Sequence, residues 1–195
     1  MKPKLYIASC SFGKDSIATI LLALENNEPL DRVVFAEVMF DHERGISGEI
    51  PEHIEWIYNT AIPKLEGMGV NVDVVRAKKD YKWFFKEGVI TKGKWKGFYY
   101  GFPIGAHCVV NRECKSRLIL RYYKQFEGYE VCQYVGIASD ERLRLKRLGK
   151  IKYHYWINTD TQSKWLLIYA DVKDCFRLYI KQKQEAVAGF VQMRN

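Results

Sequence analysis

The chain has 195 residues, 48% of them hydrophobic, which is enough for one well-buried domain and too little for two of ordinary size. Its formal charge of +8 suits anionic partners, nucleotides and nucleic acid among them, and non-specific basicity accounts for it equally well. No apolar run reaches membrane-span length and no signal-peptide pattern precedes the first strand, so a cytoplasmic protein without a membrane partner is expected; five cysteines, an odd number, point to buried thiols or metal ligands rather than a disulfide framework.

The first apolar run, residues 5–8, suits a buried strand, and Ile17, Ile20, Leu21 and Leu24 repeat at helical spacing. Between them Ser9, Cys10, Ser11, Phe12, Gly13, Lys14, Asp15 and Ser16 form a small polar turn at a helix N-terminus. Unpartnered amides and the positive end of the helix dipole favour an anion there, and Lys14 adds a full charge. Ser11 and Ser16 can donate hydroxyl hydrogen bonds, and Gly13 offers a backbone conformation that other residues resist. An ordinary strand-to-helix turn capped by Ser11 is the competing reading.

The string S-F-G-K-D-S at residues 11–16 resembles the S-G-G-x-D-S "PP-loop" of the ATP pyrophosphatase and phosphoadenosine phosphosulfate (PAPS) reductase superfamily. It lacks the spacing and the Gly-Lys-Ser/Thr ending of a Walker A loop. Phe12 replaces the first glycine, which narrows the room for a close backbone approach. The resemblance implies an adenine nucleotide alpha hydrolase-like fold and a bound adenine nucleotide, ATP or PAPS, with Mg²⁺ as its companion.

Residues 26–29 read as a turn and 32–40 as a second strand ending at Asp41. Strand, helix and strand of this length make a right-handed parallel crossover, so the expected class is α/β, a doubly wound, mostly parallel, Rossmann-like sheet. Ligands of such sheets gather at the strand carboxyl ends, which puts residues 9–16 and Asp41 on one rim. The resemblance sets an acid near this strand end close to the nucleotide, and Asp41 matches by position; a structural carboxylate is the alternative.

Residues 42–48 read as loop, and a helix is expected to start near Pro51, with Ile54, Ile57, Tyr58, Ala61 and Leu65 on its buried face and Pro63 kinking or ending it. His42 and His53 have no partner at metal spacing and read as surface residues. Gly67 and Gly69 close the element, and 70–75 is a third strand. In residues 78–106, lysines 79, 82, 86, 92, 94 and 96 interleave with Tyr81, Trp83, Phe84, Phe85, Trp95, Phe98, Tyr99 and Tyr100. That pattern suits a stacked base and a phosphate chain, or an insertion whose rings pack on the sheet beneath snorkelling lysines.

Cys108 and Cys114 flank a polar turn expected just before a helix that carries Leu118, Ile119, Tyr122 and Phe126; two thiols six apart are at most half a metal site. The G-F-P segment at 101–103, followed by a cysteine and a basic residue, also resembles PAPS reductase-like proteins, with Lys115 and Arg117 facing an anion at the helix N-terminus. A fourth strand is expected over 131–137. Gly136 to Arg142, containing Asp140, resembles the family segment G-I-R-x-D-E-S-x-R that closes over the nucleotide, with Ala138 in place of an arginine and Arg142 and Arg144 available to supply that contact.

Residues 1–150 therefore read as a PP-loop adenine-nucleotide-binding domain, and the pattern breaks after Lys150. The last residues, 185–194, are compatible with codons that, read one base earlier, give R-G-G-C-W-F-C-P-N-A. Residues 152–158 likewise permit I-S-L-L-D-K-Y, and 174–181 permit L-L-S-P-I-Y-K. A C-x-x-C near the C-terminus is what the resembled subgroup carries. Residues 151–195 are thus expected to be an out-of-frame, non-native tail, with a divergent natural C-terminus as the alternative.

In an intact relative, Cys108 and Cys114 would join the two thiols of C-W-F-C as four ligands for zinc or an iron–sulfur cluster. This chain keeps only the first pair; Cys175 lies in the tail and Cys132 in mid-strand, so no stable metal site is expected here. The resemblance implies adenylyl transfer or sulfur chemistry with a sulfur carrier or reductant as partner, impaired by the missing C-x-x-C. The E-C-G-x-H motif that PAPS reduction needs is absent in either frame. The alternative function is a non-catalytic, nucleic-acid-associated binding protein built on the same fold.

Overall fold

The computed structural model describes residues 2–102 and 108–136. Four parallel strands, β1 (Lys4–Cys10), β2 (Arg32–Glu37), β5 (Asn71–Arg76) and β6 (Glu130–Tyr134), make one sheet in the order β5-β2-β1-β6. The chain builds outward from β1 through β2 to β5, then returns to lay β6 on the other side of β1.

Both sheet faces are covered, which is why the central strands read as apolar runs rather than as alternation. Ala8, Cys10, Val33 and Phe35 point to one face, where they meet Ile17, Ile20 and Leu21 of α1 (Lys14–Glu25) and Ile57, Ala61 and Leu65 of the second helix. Ile7 and Val34 point to the other and pack with Tyr122, Ile119 and Phe126 from α5 (Arg117–Lys124) and the turn after it. Tyr122 also donates a hydrogen bond to Asp73 (2.5 Å), and Asp73 is paired with Arg32 (2.9 Å), so α5 is pinned to β5 and β2 by a charged cross-link.

Three boundaries differ from the sequence reading. The second strand leaves the sheet after Glu37, and β3 (Met39–Asp41) instead pairs antiparallel with β4 (Ile46–Ser47), so the expected loop 42–48 is largely a small hairpin. Pro63 does not end its helix: α2 (Pro51–Trp56) runs through a π-helical turn (Ile57–Ala61) into α3 (Ile62–Gly67). Proline has no N–H to donate and its ring presses on the carbonyl four residues earlier, and the wider turn just ahead of it absorbs both defects. The polar turn between Cys108 and Cys114 is helix already, since the element begins at Val109 and passes through a second π turn (Asn111–Ser116) into α5.

A second core lies away from the sheet, where Val38, Val109, Val110 and Cys114 enclose Phe84 of α4 (Tyr81–Lys86) with Trp83, Tyr81 and Tyr100 around it. The expected packing of the 78–106 rings on the sheet is thus replaced by packing on this satellite core. Only part of the set takes part: Trp95, Phe98, Tyr99 and Phe102 remain exposed. No helix among the described residues is long and apolar enough to cross a membrane. Asp140, Arg142, Arg144 and the segment 151–195 lie outside the described residues.

Candidate functional site

A cleft of about 860 Å³ opens at the carboxyl ends of β1 and β6, where the strand order reverses. Its walls come from five parts of the chain: Ser9 and Ser11 at the end of β1, Gly13, Lys14, Asp15 and Ser16 in the loop and first turn of α1, Val34 and Ala36 of β2, Lys115, Ser116 and Tyr123 on the helix opposite, and Gln133 and Gly136 at the end of β6. Eight of the residues singled out in the sequence, Ser9, Ser11, Gly13, Lys14, Asp15, Ser16, Lys115 and Gly136, therefore share one cavity.

The loop is braced from within. Ser16 donates to the Gly13 carbonyl (3.0 Å) and accepts from the Ser11 amide (3.3 Å) and the Cys10 thiol (3.5 Å). The Phe12 amide donates to the Cys10 sulfur (3.2 Å). Burial pushes the Cys10 thiol up to about 11, so at neutral pH it is a packed hydrophobe and no nucleophile. No side chain caps α1, and its first intrahelical bond is Ile17 N–H to Gly13 C=O (3.1 Å). Amides ahead of that bond have no helical carbonyl to meet, which leaves the dipole's positive end for an anion.

Two expectations about this loop are corrected. Gly13 sits at φ −77° and ψ 166°, ordinary extended backbone, so its conformational freedom is not what the loop uses. The left-handed residue is Phe12, at φ 56°. Phe12 does not line the cleft: its ring is 1% exposed, edge-on to Phe35 (5.2 Å) and Trp56 (6.5 Å). The phenyl group thus points into the core, and it leaves the room for backbone approach unchanged. The Phe12 carbonyl lies 3.3 Å from Nε2 of His53, whose Nδ1 lies 3.9 Å from Glu49, so His53 supports the loop and is no idle surface residue.

Gly136 is needed for closeness. A Cβ there would lie 2.5 Å from the Asp15 carbonyl oxygen and 2.8 Å from Thr19 Oγ1, so only glycine lets the end of β6 rest on the first turn of α1. On the far wall, the π turn carries Cys114 into the satellite core and Lys115 to the cleft, where its ammonium lies 3.7 Å from Glu49. Lys115 stands well inside its helix, since the helix begins at Val109, and Arg117 is bound to Glu113 (2.6 Å). The expected pair of cations at a helix N-terminus is therefore one cation on a helix flank.

Asp41 is the clearest misplacement. It does not line the cleft, because the break after Glu37 carries it off on the β3–β4 hairpin. Its carboxylate accepts from Lys82 (3.1 Å) and from the amides of Glu43 (3.0 Å) and Arg44 (3.3 Å). Burial raises the Asp41 carboxyl, but Lys82 and these amides outweigh it and hold it below the usual range.

Sequence reasoning missed the polar floor of the cleft. Gln133 donates to Ser9 Oγ (3.0 Å), and Ser9 shares a hydrogen bond with the Tyr123 hydroxyl (2.8 Å). A glutamine inside an otherwise apolar strand was the available signal.

Of the cysteine pair, Cys114 is buried and donates to the Lys79 carbonyl (3.4 Å), and burial pushes it up to about 11; Cys108 is half-buried. Among the described residues no group of three or more His, Cys, Asp or Glu side chains could hold a metal ion.

Comparison with known proteins yields no family model, no curated protein and no solved structure that matches the chain.

Proposed function

We propose that the cleft binds an adenine nucleotide, ATP or PAPS, in a doubly wound, Rossmann-like domain of the PP-loop type, for adenylyl transfer or sulfur chemistry. One observation carries this reading: loop 11–16 and the uncapped start of α1 face Lys115 across a cavity at the reversal of strand order. That is where open α/β sheets take their ligands, with phosphates at the helix N-terminus. The volume of about 860 Å³ suits a nucleotide-sized ligand.

In this reading the amides of the first turn and Lys14 hold the phosphates, Lys115 reaches them from the opposite wall, and the Ser9, Gln133 and Tyr123 floor orients the uncharged part. Asp15, paired with Lys14 at 2.6 Å, is the carboxylate of the cleft lining that would meet Mg²⁺. Cys108 and Cys114 are half of a four-sulfur site that the out-of-frame tail leaves incomplete.

The test is equilibrium binding of a fluorescent adenine nucleotide. Lys14→Ala and Lys115→Ala should each weaken it about 10-fold or more, as expected for losing a hydrogen bond to a charged group, with an unchanged far-UV circular dichroism spectrum because both side chains are substantially exposed. Unaltered affinity in both variants would refute the assignment of the cleft.

A further inference from the structure

Residues 78–102 form a surface that the nucleotide reading leaves unused. Helix α4 sends Phe84 into the satellite core, and the chain then doubles back at Gly88, where a Cβ would sit 2.9 Å from the Phe84 carbonyl oxygen and 3.0 Å from the Tyr100 ring. The return is tied by Ile90 N–H to Phe98 C=O (2.8 Å), Gly97 N–H to Ile90 C=O (2.9 Å) and Tyr100 N–H to Gly88 C=O (2.9 Å). Gly93 and Gly97 take the left-handed conformation that the tip requires, at φ 82° and 92°. Residues 88–100 are therefore a hydrogen-bonded hairpin that holds Trp95 (58% exposed) and Phe98 (61%) outward, and Phe102 just beyond it is 66% exposed. Large rings held in water are unfavourable for folding and are kept where a partner covers them.

Charge decides the partner. Seven lysines fall between positions 78 and 96, against Asp80 and Glu87. Asp80 is buried and spent on the amides of Trp83 (2.7 Å) and His42 (2.8 Å). Lys82 is paired with Asp41 and Glu43, while Lys92, Lys94 and Lys96 form no ion pair among the described residues. Beside the hairpin a second cleft, of about 410 Å³, is lined by Lys78, Lys79, Trp83, Tyr100 and Arg121, and the Lys79 ammonium stands 3.1 Å over the Trp83 ring. Aromatic faces alternating with unpaired ammonium groups match a flexible chain of planar bases and phosphates. A rigid duplex keeps its base faces stacked on one another and out of reach of these rings.

We propose that residues 78–102 bind single-stranded nucleic acid, with Trp95, Phe98 and Phe102 stacking on bases and Lys92, Lys94 and Lys96 neutralising phosphates. This surface shares no residue with the nucleotide cleft, and either assignment can fail without the other.

Fluorescence anisotropy of the full chain with labelled oligo(dT), oligo(U) and a duplex of equal length, about 20 nucleotides, tests it. Single strands should bind more tightly than duplex, and the dT and U arms separate DNA from RNA. Trp95→Ala and Phe98→Ala should each weaken binding about 10-fold, and the triple change Lys92→Gln, Lys94→Gln, Lys96→Gln should lower the salt slope by about 2. All five positions are exposed, so the melting temperature should stay put. No binding of any probe at about 50 mM salt, or affinity indifferent to the ring variants, overturns the proposal. So does self-association that Trp95→Ala abolishes while no oligonucleotide binds, which would make a second copy of this chain the occupant.

Discussion

Phe12 shows how one residue can serve two demands at once. Its backbone takes the left-handed turn that a glycine would take freely, and its ring fills the space between Phe35 and Trp56. Removing a buried phenylalanine costs about 3–5 kcal/mol, and relief of the left-handed strain returns about 1–2. Phe12→Gly should therefore relax the left-handed backbone and still destabilise the fold by about 1–4 kcal/mol, measured by urea denaturation; a gain in stability would mean that strain at residue 12 outweighs its burial. The sequence made the polar string 11–16 legible because small polar residues between a strand and a helix have few other uses. It could not show where the phenyl ring points, because that is set by the helix at 51–67, which is distant along the chain.

Elements joined by charge give the fold its pH limits. Glu37 at the end of β2 is 2% exposed and accepts from Tyr58 (2.5 Å) and Arg76 (2.8 Å), which links β2, β5 and the second helix. Burial raises the Glu37 carboxyl, but the bonds from Tyr58, Arg76 and Ser47 outweigh it and leave it below the usual range. A folded value below the unfolded one contributes stability that is complete above the ordinary carboxyl range and lost as pH falls through the folded value. Burial and Glu37 push the Tyr58 phenol the other way, to about 12, so the folded state keeps a proton that the unfolded state releases above pH 10 and stability falls there. Chemical denaturation across pH should show both limbs, and Glu37→Gln should flatten the acid one. An unchanged acid limb would place its origin in another carboxylate. The helices and most strands were legible from apolar period, but the end of the second strand was not. Residues 32–40 are uniformly strand-like, and only the pairing of Met39 with Ser47 shows that the chain leaves the sheet after Glu37.

For the whole molecule, charge and frame belong together. Residues 151–195 hold seven Lys/Arg and four Asp/Glu, so +3 of the net +8 lies in the segment read as out of frame. The nucleic-acid proposal accordingly rests on the local lysines of 78–96 and not on net charge. Sequencing the gene across the codons for Lys150 to Lys152 should reveal a codon series that yields C-W-F-C when shifted by one base. A series that cannot do so ends the frame reading and leaves a divergent natural C-terminus. The parallel order β5-β2-β1-β6 puts the loop of residues 11–16, Lys115 and Gly136 around one cavity, and the central claim is that this cavity takes an adenine nucleotide. Calorimetric titration of the full chain with ATP and with PAPS, separately and with Mg²⁺ present, tests it most directly. The account predicts saturable one-to-one binding of at least one of them, lost in Lys14→Ala, and heats indistinguishable from dilution for both nucleotides would contradict it.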